Sequence, residues 1–494
     1  MIIQTGARFI VASCIYGGAE VAARGVQFVC LFMLARNSSK AEYGALGLLF
    51  AVQQLFTMLT LAGVTEVMTG RSAEFRQSGQ LGSLFANSHR LLLKKISILI
   101  GFACLAAGAL LFFNAEHLSP ATFFCCCISG MLLGKSRLIG SMYQLKQRHA
   151  MAVVFQTLPL LICYSVGLAS ALIWSNPVDG LFIGGCGGLL LWTLVSSPIQ
   201  LPSSGLISLD MGLQQRLFTD SLSFAAIAFL GWLAGYGNSI AVGGLLDVRA
   251  VADYTMTLHF DGIVAILLSS IASVWFPRFY QMAAEEPPER LNAANSLAFL
   301  VHSLVGAVAS GVLLILFPLV PRLLQGNFSG YSHLGTYMTA VFAAQIILTG
   351  YYRSHAYYLL HRRGPQFFRI LLATSALGFG AWYGLMMVLG APGIYVGVVV
   401  MAALRSAGTH FYAQRQWGLP AWELDAMFGL AILGCAYGMT MTSLAIWMQL
   451  LTFCALAIAM LAASFFSLMA NRLRVLNRSR TVSVSAESAG ARAA

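Results

Sequence analysis

Charged residues are scarce in this chain. Only 9% of its 494 residues are Asp, Glu, Lys or Arg, whereas 58% are hydrophobic. A soluble domain carries about 25% charged residues, so this composition cannot cover a water-exposed surface. Apolar runs of about 20 residues, long enough to cross a bilayer, recur along the chain. Because a segment in lipid must satisfy its own backbone hydrogen bonds, these runs predict transmembrane α-helices.

Motifs of soluble enzymes are also missing. The stretch GMLLGKS (130–136) has three residues between its glycines, where a phosphate-binding P-loop needs four. We therefore interpret Lys135 and Arg137 as side chains that reach the inner headgroups. No HExxH motif and no Ser/His/Asp set lies in an aqueous domain, since no such domain is predicted. Energy for any transport would have to come from an ion gradient.

Cysteine does not point to redox or metal chemistry. All ten cysteines fall inside apolar runs, and none has metal-ligand spacing with a histidine in a loop. Buried free cysteine behaves as a small apolar residue. Neither a disulfide framework nor a metal site is predicted.

Fourteen spans are predicted. Their approximate bounds are 9–35, 43–69, 91–113, 119–143, 151–174, 179–196, 220–246, 254–276, 292–317, 334–360, 366–389, 393–414, 425–446 and 448–470. Most Lys and Arg residues, which give the net charge of +12, fall in the loops on one side. This bias is typical of cytoplasmic loops and places both termini in the cytoplasm, with no nucleic acid partner.

The spans fall into two predicted lobes. A repeated pattern supports them, because Glu42-Tyr43 superposes on Asp253-Tyr254 at the start of the second and eighth spans. The predicted fold is an all-α polytopic membrane protein of two six-helix lobes plus two C-terminal helices. The bounds are 1–196 for the N-terminal lobe, 197–219 for a cytoplasmic linker with a short interfacial helix, 220–414 for the C-terminal lobe, 425–470 for the two additional helices and 471–494 for a disordered cytoplasmic tail.

We single out six of the ionisable residues inside predicted spans as candidate site residues. Glu20, Arg24 and Arg405 fall near helix centres, Glu66 and Arg353 nearer the cytoplasmic ends, and Asp261 in the outer third of its span. A charge at the bilayer centre costs about 2.5–3.5 kcal/mol on insertion scales, so these residues must face a cavity or one another.

Each of these charges also has a structural interpretation. Glu20 and Arg24 are four residues apart and share a helix face, so they can form an ion pair that binds nothing. Arg353 and Arg405 have no acid at helical spacing, and both can snorkel to the headgroups. The intramembrane histidines His259, His302 and His355 are better explained as hydrogen-bonded core residues than as a proton relay.

Two stretches resemble a known family. LARNSSKAEYGALGLLFAVQQLF (34–56) and LAGVTEVMTGR (61–71), with fourteen helices in two lobes, are similar to the polysaccharide transporter branch of the MOP flippase superfamily. The nearest type is the Wzx O-antigen flippase. This resemblance implies two lobes around a cavity that opens alternately to each side. The implied cargo is an oligosaccharide on undecaprenyl diphosphate, moved from the inner to the outer leaflet of the bacterial inner membrane.

The resemblance also implies roles for the buried charges. Arg24, Arg353 and Arg405 would line the substrate cavity and contact the diphosphate or glycan. Glu20, Glu66 and Asp261 would serve ion coupling or charge pairing, with H⁺ or Na⁺ as the coupling ion and no other cofactor. Expected partners are the lipid-linked oligosaccharide, membrane lipids and the polysaccharide polymerase machinery.

Other functions stay open at this point. A MATE-like drug or cation antiporter would favour intramembrane acids over arginines. A membrane-embedded glycan polymerase or ligase would carry a large outer loop, whereas the longest one here covers only 318–333. A scaffold would leave the buried charges unexplained. The chain is therefore expected to be a transporter and not an enzyme.

Overall fold

The computed structural model describes residues 2–112, 119–146, 148–199, 210–324, 326–361 and 363–464. Some side chains within these ranges, including those of residues 2–17 and of Glu20, are not described. The predicted role of Glu20 therefore lies outside the described residues, as do the predicted tail at 471–494 and residues 200–209 of the predicted linker.

Every regular element in the described part of the chain is helical, which confirms the all-α prediction. Its α-helices are α1 (Ile2–Asn37), α2 (Lys40–Leu61), α3 (Val64–Gln77), α4 (Leu81–Phe112), α5 (Pro120–Leu145), α6 (His149–Ile173), α7 (Pro177–Val195), α8 (Met211–Ala234), α9 (Gly237–Leu245), α10 (Val248–Glu285), α11 (Pro288–Leu316), α12 (Leu319–Leu324), α13 (Gly335–Ile347), α14 (Thr349–Leu360), α15 (Gly364–Leu389), α16 (Ala391–Trp417), α17 (Glu423–Thr440) and α18 (Ile446–Ser464).

Eleven helical segments of the described residues are long and apolar enough to cross a membrane. In chain order they correspond to the second through twelfth predicted spans, and they establish a multi-pass membrane protein. The thirteenth and fourteenth predicted spans correspond to α17 and α18. Because the apolar part of α18 covers only Ile446–Met460, the total of fourteen spans stays a prediction.

The chain divides into two compact units. The first contains residues 1–256 and 324–330, and the second contains residues 257–323 and 331–494. This division falls inside α10, whereas the predicted lobes divide at the linker 197–219. The predicted domain bounds stay a prediction.

The turn between α1 and α2 is defined by a capping box. The Ser39 hydroxyl accepts from the Glu42 N–H at 3.2 Å, and a Glu42 carboxylate oxygen accepts from the Ser39 N–H at 2.6 Å. Two donors that a helix start leaves unpaired are thereby satisfied. The stretch NSSKAEYG therefore reverses the chain within two residues and starts α2.

A second local feature interrupts the second predicted span. Ala62 and Gly63 adopt positive φ angles of 36° and 77°, and they separate α2 from α3. A side chain at Gly63 would bring its Cβ to 2.5 Å from the Ser221 carbonyl oxygen, so glycine is required there. This break places Thr65 and Glu66 in the first turn of α3.

Candidate functional site: a basic cavity in the first unit

A cavity of about 360 Å³ lies among α1, α2, α3, α5 and α6 of the first unit. We call it the basic cavity, and its wall consists of Arg24, Leu61, Thr65, Glu66, Arg137, Ser141, Gln156 and Leu160. Two of the six predicted site residues, Arg24 and Glu66, therefore share one wall. At about 1.5 Å per residue, Arg137 lies roughly 12 Å along α5 from Leu145. Seven of the eight wall residues lie in segments that are long and apolar enough to cross a membrane, so the cavity is bordered by membrane-spanning helices.

Arg24 is oriented by a relay between two helices. Its Nη1 donates to Gln27 Oε1 at 2.9 Å, and Gln27 Nε2 donates to the Tyr164 hydroxyl of α6 at 2.8 Å. Gln27 and Tyr164 are buried, while Arg24 is only partly buried. A fixed neutral amide orients the guanidinium without cancelling its charge.

Glu66 gives the cavity a negative group as well. The break at Ala62-Gly63 puts its carboxylate in the first turn of α3, where the helix dipole favours an anion. Lys95 of α4 lies close enough to attract this carboxylate electrostatically. Beside it, the buried Thr65 hydroxyl has no hydrogen-bond partner among the described residues. The wall therefore carries charges of both signs, from Glu66 and from the arginines.

Sequence reasoning missed Arg137. The sequence predicts that its side chain reaches the headgroups, but it lines the same cavity as Arg24. Gln156 of α6 lies on this wall too, and its side chain occupies the space beside Gly140 of α5. The position of Arg137 along α5 alone indicates a side chain that reaches the headgroups. Only the packing of α6 against α5 shows that Arg137 faces the basic cavity.

Arg353 occupies a different environment in the second unit. Its side chain is 0% exposed and forms an ion pair with the equally buried Asp425 of α17 at 3.1 Å. Arg353 Nη2 donates to the Ser296 hydroxyl at 2.6 Å, and Nη1 donates to the Ala421 carbonyl at 3.2 Å. These contacts give Arg353 the acidic partner that its own helix lacks. Its predicted contact with substrate has no support from this geometry.

Two further predicted site residues, Arg405 and Asp261, also lie in the second unit. Arg405 of α16 donates from Nη2 to the Ser375 hydroxyl of α15 at 3.1 Å. Asp261 is buried, and its Oδ2 accepts from Gln345 Nε2 at 2.8 Å. Asp261 Oδ1 is buried without a hydrogen-bond partner in the described part of the chain. Arg24 therefore belongs to the first unit, whereas Arg353 and Arg405 belong to the second.

A polar cavity also lies at the other ends of several helices in the first unit. Its volume is about 240 Å³, and Glu42, Thr122 and Asp179 contribute to its wall. The Thr122 hydroxyl donates to Asp179 Oδ1 at 2.5 Å. This cavity contains no basic side chain in its wall, in contrast to the basic cavity.

The family is decided by a match over residues 13–283, just over half of the chain, to the model described as "Polysaccharide biosynthesis protein". The chain belongs to this polysaccharide biosynthesis protein family. The match includes all eight wall residues of the basic cavity. Comparison with curated proteins gives no match.

Solved structures show what fold this polysaccharide biosynthesis family member adopts. It is similar to an inward-facing multidrug resistance MATE family transporter of the MOP superfamily, with a TM-score of 0.63, 12% identity and coverage of 82% of this chain and 94% of that one. The MATE multidrug transporter DinF-BH matches with a TM-score of 0.61 and 13% identity, over 83% of this chain and 95% of that one. The eukaryotic MATE transporter AtDTX14 matches with a TM-score of 0.59 and 14% identity, over 86% of this chain and 99% of that one. At these identities the likeness establishes a MATE-like fold alone.

Proposed function

We propose that this family member is a flippase for lipid-linked oligosaccharides. It would move an undecaprenyl-diphosphate-linked repeat unit, of O-antigen or another surface polysaccharide, from the inner to the outer leaflet of the bacterial inner membrane. The observation that carries the proposal is the presence of two arginines, Arg24 and Arg137, in the wall of one polar cavity between membrane-spanning helices.

The chemistry of the cargo matches that wall. A lipid diphosphate carries adjacent negative charges, and an arginine can pair two phosphate oxygens while keeping its charge. Cavities of about 300–1,000 Å³ hold small ligand groups, so about 360 Å³ has room for a diphosphate and the first sugar. Thr65 and Gln156 add the hydrogen-bonding groups that a glycan needs.

An acid in the same wall supports coupling to an ion gradient. With no substrate bound, Glu66 balances part of the positive charge; a diphosphate then competes with it. Protonation or Na⁺ binding at Glu66 would change how strongly this carboxylate competes with the diphosphate. The cavity would then bind the diphosphate with different affinities in its ion-bound and ion-free states. Glu20 and Asp261 are further proposed coupling groups. We propose H⁺ or Na⁺ as the coupling ion, no other cofactor, alternating access, no enzymatic reaction and both termini in the cytoplasm.

The proposed partners follow from this role. They are membrane lipids, the lipid-linked oligosaccharide and the polymerase machinery that consumes it on the outer side. Arg405 remains a proposed substrate residue of the second unit, where its guanidinium is only partly buried.

Export of surface glycan tests the proposal. In a strain whose glycan depends on this chain, Arg24→Ala and Arg137→Ala should each reduce export about 10- to 100-fold, because each removes a charged hydrogen-bond donor to phosphate. Lysine at either position should retain part of the activity. The matched control is Arg148→Ala, which removes an exposed positive charge from the loop before α6. Normal export by well-inserted Arg24→Ala and Arg137→Ala proteins would refute the substrate role.

A second candidate is a cation antiporter. It is favoured by Asp261, a buried carboxylate with one unpartnered oxygen in the described structure, and by the acidic Glu66 in the basic cavity. An antiporter predicts that cells lacking the chain keep their surface glycan but become sensitive to organic cations. Cells that show the reverse pattern support the flippase.

A further inference from the structure

Two consecutive lysines lie where α4 packs against the first turns of α8. Lys94 Nζ donates to Gln214 Oε1 at 3.0 Å, and Lys95 Nζ lies 5.8 Å from the centre of the Phe218 ring. Gln214 and Phe218 are four residues apart, so they share one face of α8. We call this place, formed by Lys94, Lys95, Gln214 and Phe218, the lysine seam.

The lysine seam is held in place by a buried amide network. Asn87 Oδ1 accepts from Gln214 Nε2 at 3.0 Å and from the Asp210 N–H at 3.2 Å. Asn87 is 0% exposed and Gln214 only 4% exposed. Because Gln214 is neutral, it positions the Lys94 ammonium without neutralising it. In the described part of the chain, neither Lys94 nor Lys95 forms a salt bridge with a carboxylate.

Exposed apolar side chains lie near the lysine seam along α4 and α8. Leu93, Ile98, Phe218 and Leu222 are 41%, 61%, 44% and 51% exposed. On a membrane-spanning surface such residues contact acyl chains. The lysines follow the predicted cytoplasmic end of this span at residue 91. Their ammonium groups therefore reach headgroup depth from apolar surroundings, as snorkelling lysines do.

We propose that the lysine seam binds the headgroup of an anionic phospholipid of the inner leaflet. The two ammonium groups supply the charge that a phosphate needs, and the exposed apolar residues supply a surface for its chains. A bilayer lipid fits better than the transported cargo, because exposed apolar side chains lie beside the seam and neither lysine belongs to the wall of the basic cavity. This site does not depend on the proposed transport function.

The lysine seam also connects a bound lipid to the basic cavity. Lys95 attracts Glu66, a wall residue of that cavity. A phosphate at Lys95 would compete with Glu66 for the same positive charge. Anionic lipid would thereby change the electrostatic balance in the cavity without entering it.

Lipid binding to the purified full chain tests the site. Native mass spectrometry in neutral detergent measures the affinity for phosphatidylglycerol, with phosphatidylcholine as the neutral comparison. The variant Lys94→Gln with Lys95→Gln should bind phosphatidylglycerol about tenfold more weakly. Each lysine near an anionic headgroup adds favourable electrostatic free energy to lipid binding, and this variant loses both contributions. Its phosphatidylcholine affinity should stay unchanged, and Lys94→Arg with Lys95→Arg should retain phosphatidylglycerol binding.

A charge-matched control separates this site from general attraction. Lys146→Gln with Arg148→Gln also removes two positive charges from the predicted cytoplasmic side and should bind both lipids as the unmodified chain does. Equal phosphatidylglycerol binding by the Lys94/Lys95 glutamine variant would overturn the proposal, as would an equal loss of both lipids. If that variant does not fold, salt titration of the unmodified chain decides, because salt-independent phosphatidylglycerol binding would also overturn it.

Discussion

Gln27 of α1 donates its amide to the Tyr164 hydroxyl of α6 at 2.8 Å while its carbonyl accepts from Arg24 at 2.9 Å. One buried amide thus links a cavity arginine to a helix 137 residues away in sequence. A charged group performs best when its neighbours fix its direction before the ligand arrives. Gln27 is therefore a positioning residue for Arg24.

The first prediction concerns this relay. Gln27→Leu should weaken substrate binding about tenfold, because Arg24 loses its oriented partner. Tyr164→Phe should have a smaller effect in the same direction, since Gln27 keeps its bond to Arg24. Substrate-concentration dependence of flipping in proteoliposomes measures both. A purely structural role would lower thermal stability while the half-saturating substrate concentration stays unchanged.

A second prediction concerns the buried Arg353–Asp425 pair. Asp425→Asn should destabilise the protein by about 3–5 kcal/mol, because it leaves a buried guanidinium without its counter-charge. The double change Arg353→Met with Asp425→Leu should recover much of that loss and retain glycan export. Thermal unfolding in detergent gives the stabilities, with the exposed Glu423→Gln as the matched acid control on α17. Loss of export in a stable double variant would return Arg353 to the substrate site.

A third prediction concerns the close contact between α2 and the start of α10. A Cβ at Gly44 would lie 1.9 Å from the Val248 carbonyl oxygen. Gly44→Ala should therefore destabilise the first unit by about 1–3 kcal/mol, because backbone has to move. Gly101→Ala is the control, since no atom lies within 4 Å of that added Cβ. Equal melting temperatures for the two variants would contradict the contact.

The fourth prediction addresses Asp261. Asn has nearly the same shape as Asp but neither takes up a proton at neutral pH nor carries a charge for Na⁺. If Asp261 couples transport to an ion, Asp261→Asn should abolish the dependence of transport on a pH or Na⁺ gradient while the protein still folds. Flux in proteoliposomes with imposed gradients measures this, and the exposed Glu289→Gln is the control. Retained gradient dependence would assign Asp261 a structural role.

The architecture follows from the sequence because its signal is local. Each apolar run is a complete helix signal in itself, and eleven segments of the described chain have the expected length and composition. Helix interruptions are harder to predict. The break at Ala62-Gly63 lies inside an apolar run, and the close approach of Ser221 to Gly63 comes from a helix far along the chain, which no local pattern shows.

The candidate site is only partly visible in the sequence for the same reason. Arg24 and Glu66 stand out because a charge in an apolar run is costly wherever it points. Arg137 carries the same charge, but its depth alone does not show that α6 covers it. Asp425 was not associated with Arg353, since 72 residues separate the partners and no helical spacing connects them.

The same separation has a consequence for synthesis. At about 5–20 residues per second, Asp425 leaves the ribosome roughly 4–14 seconds after Arg353. During that interval α14 has its arginine but not the carboxylate that neutralises it. Until α17 arrives, the single span formed by α13 and α14 therefore carries a guanidinium without its counter-charge, which makes burial of that span more costly. A nascent chain that ends before Glu423 would keep Arg353 without its carboxylate, so α17 completes the charge balance of the second unit last.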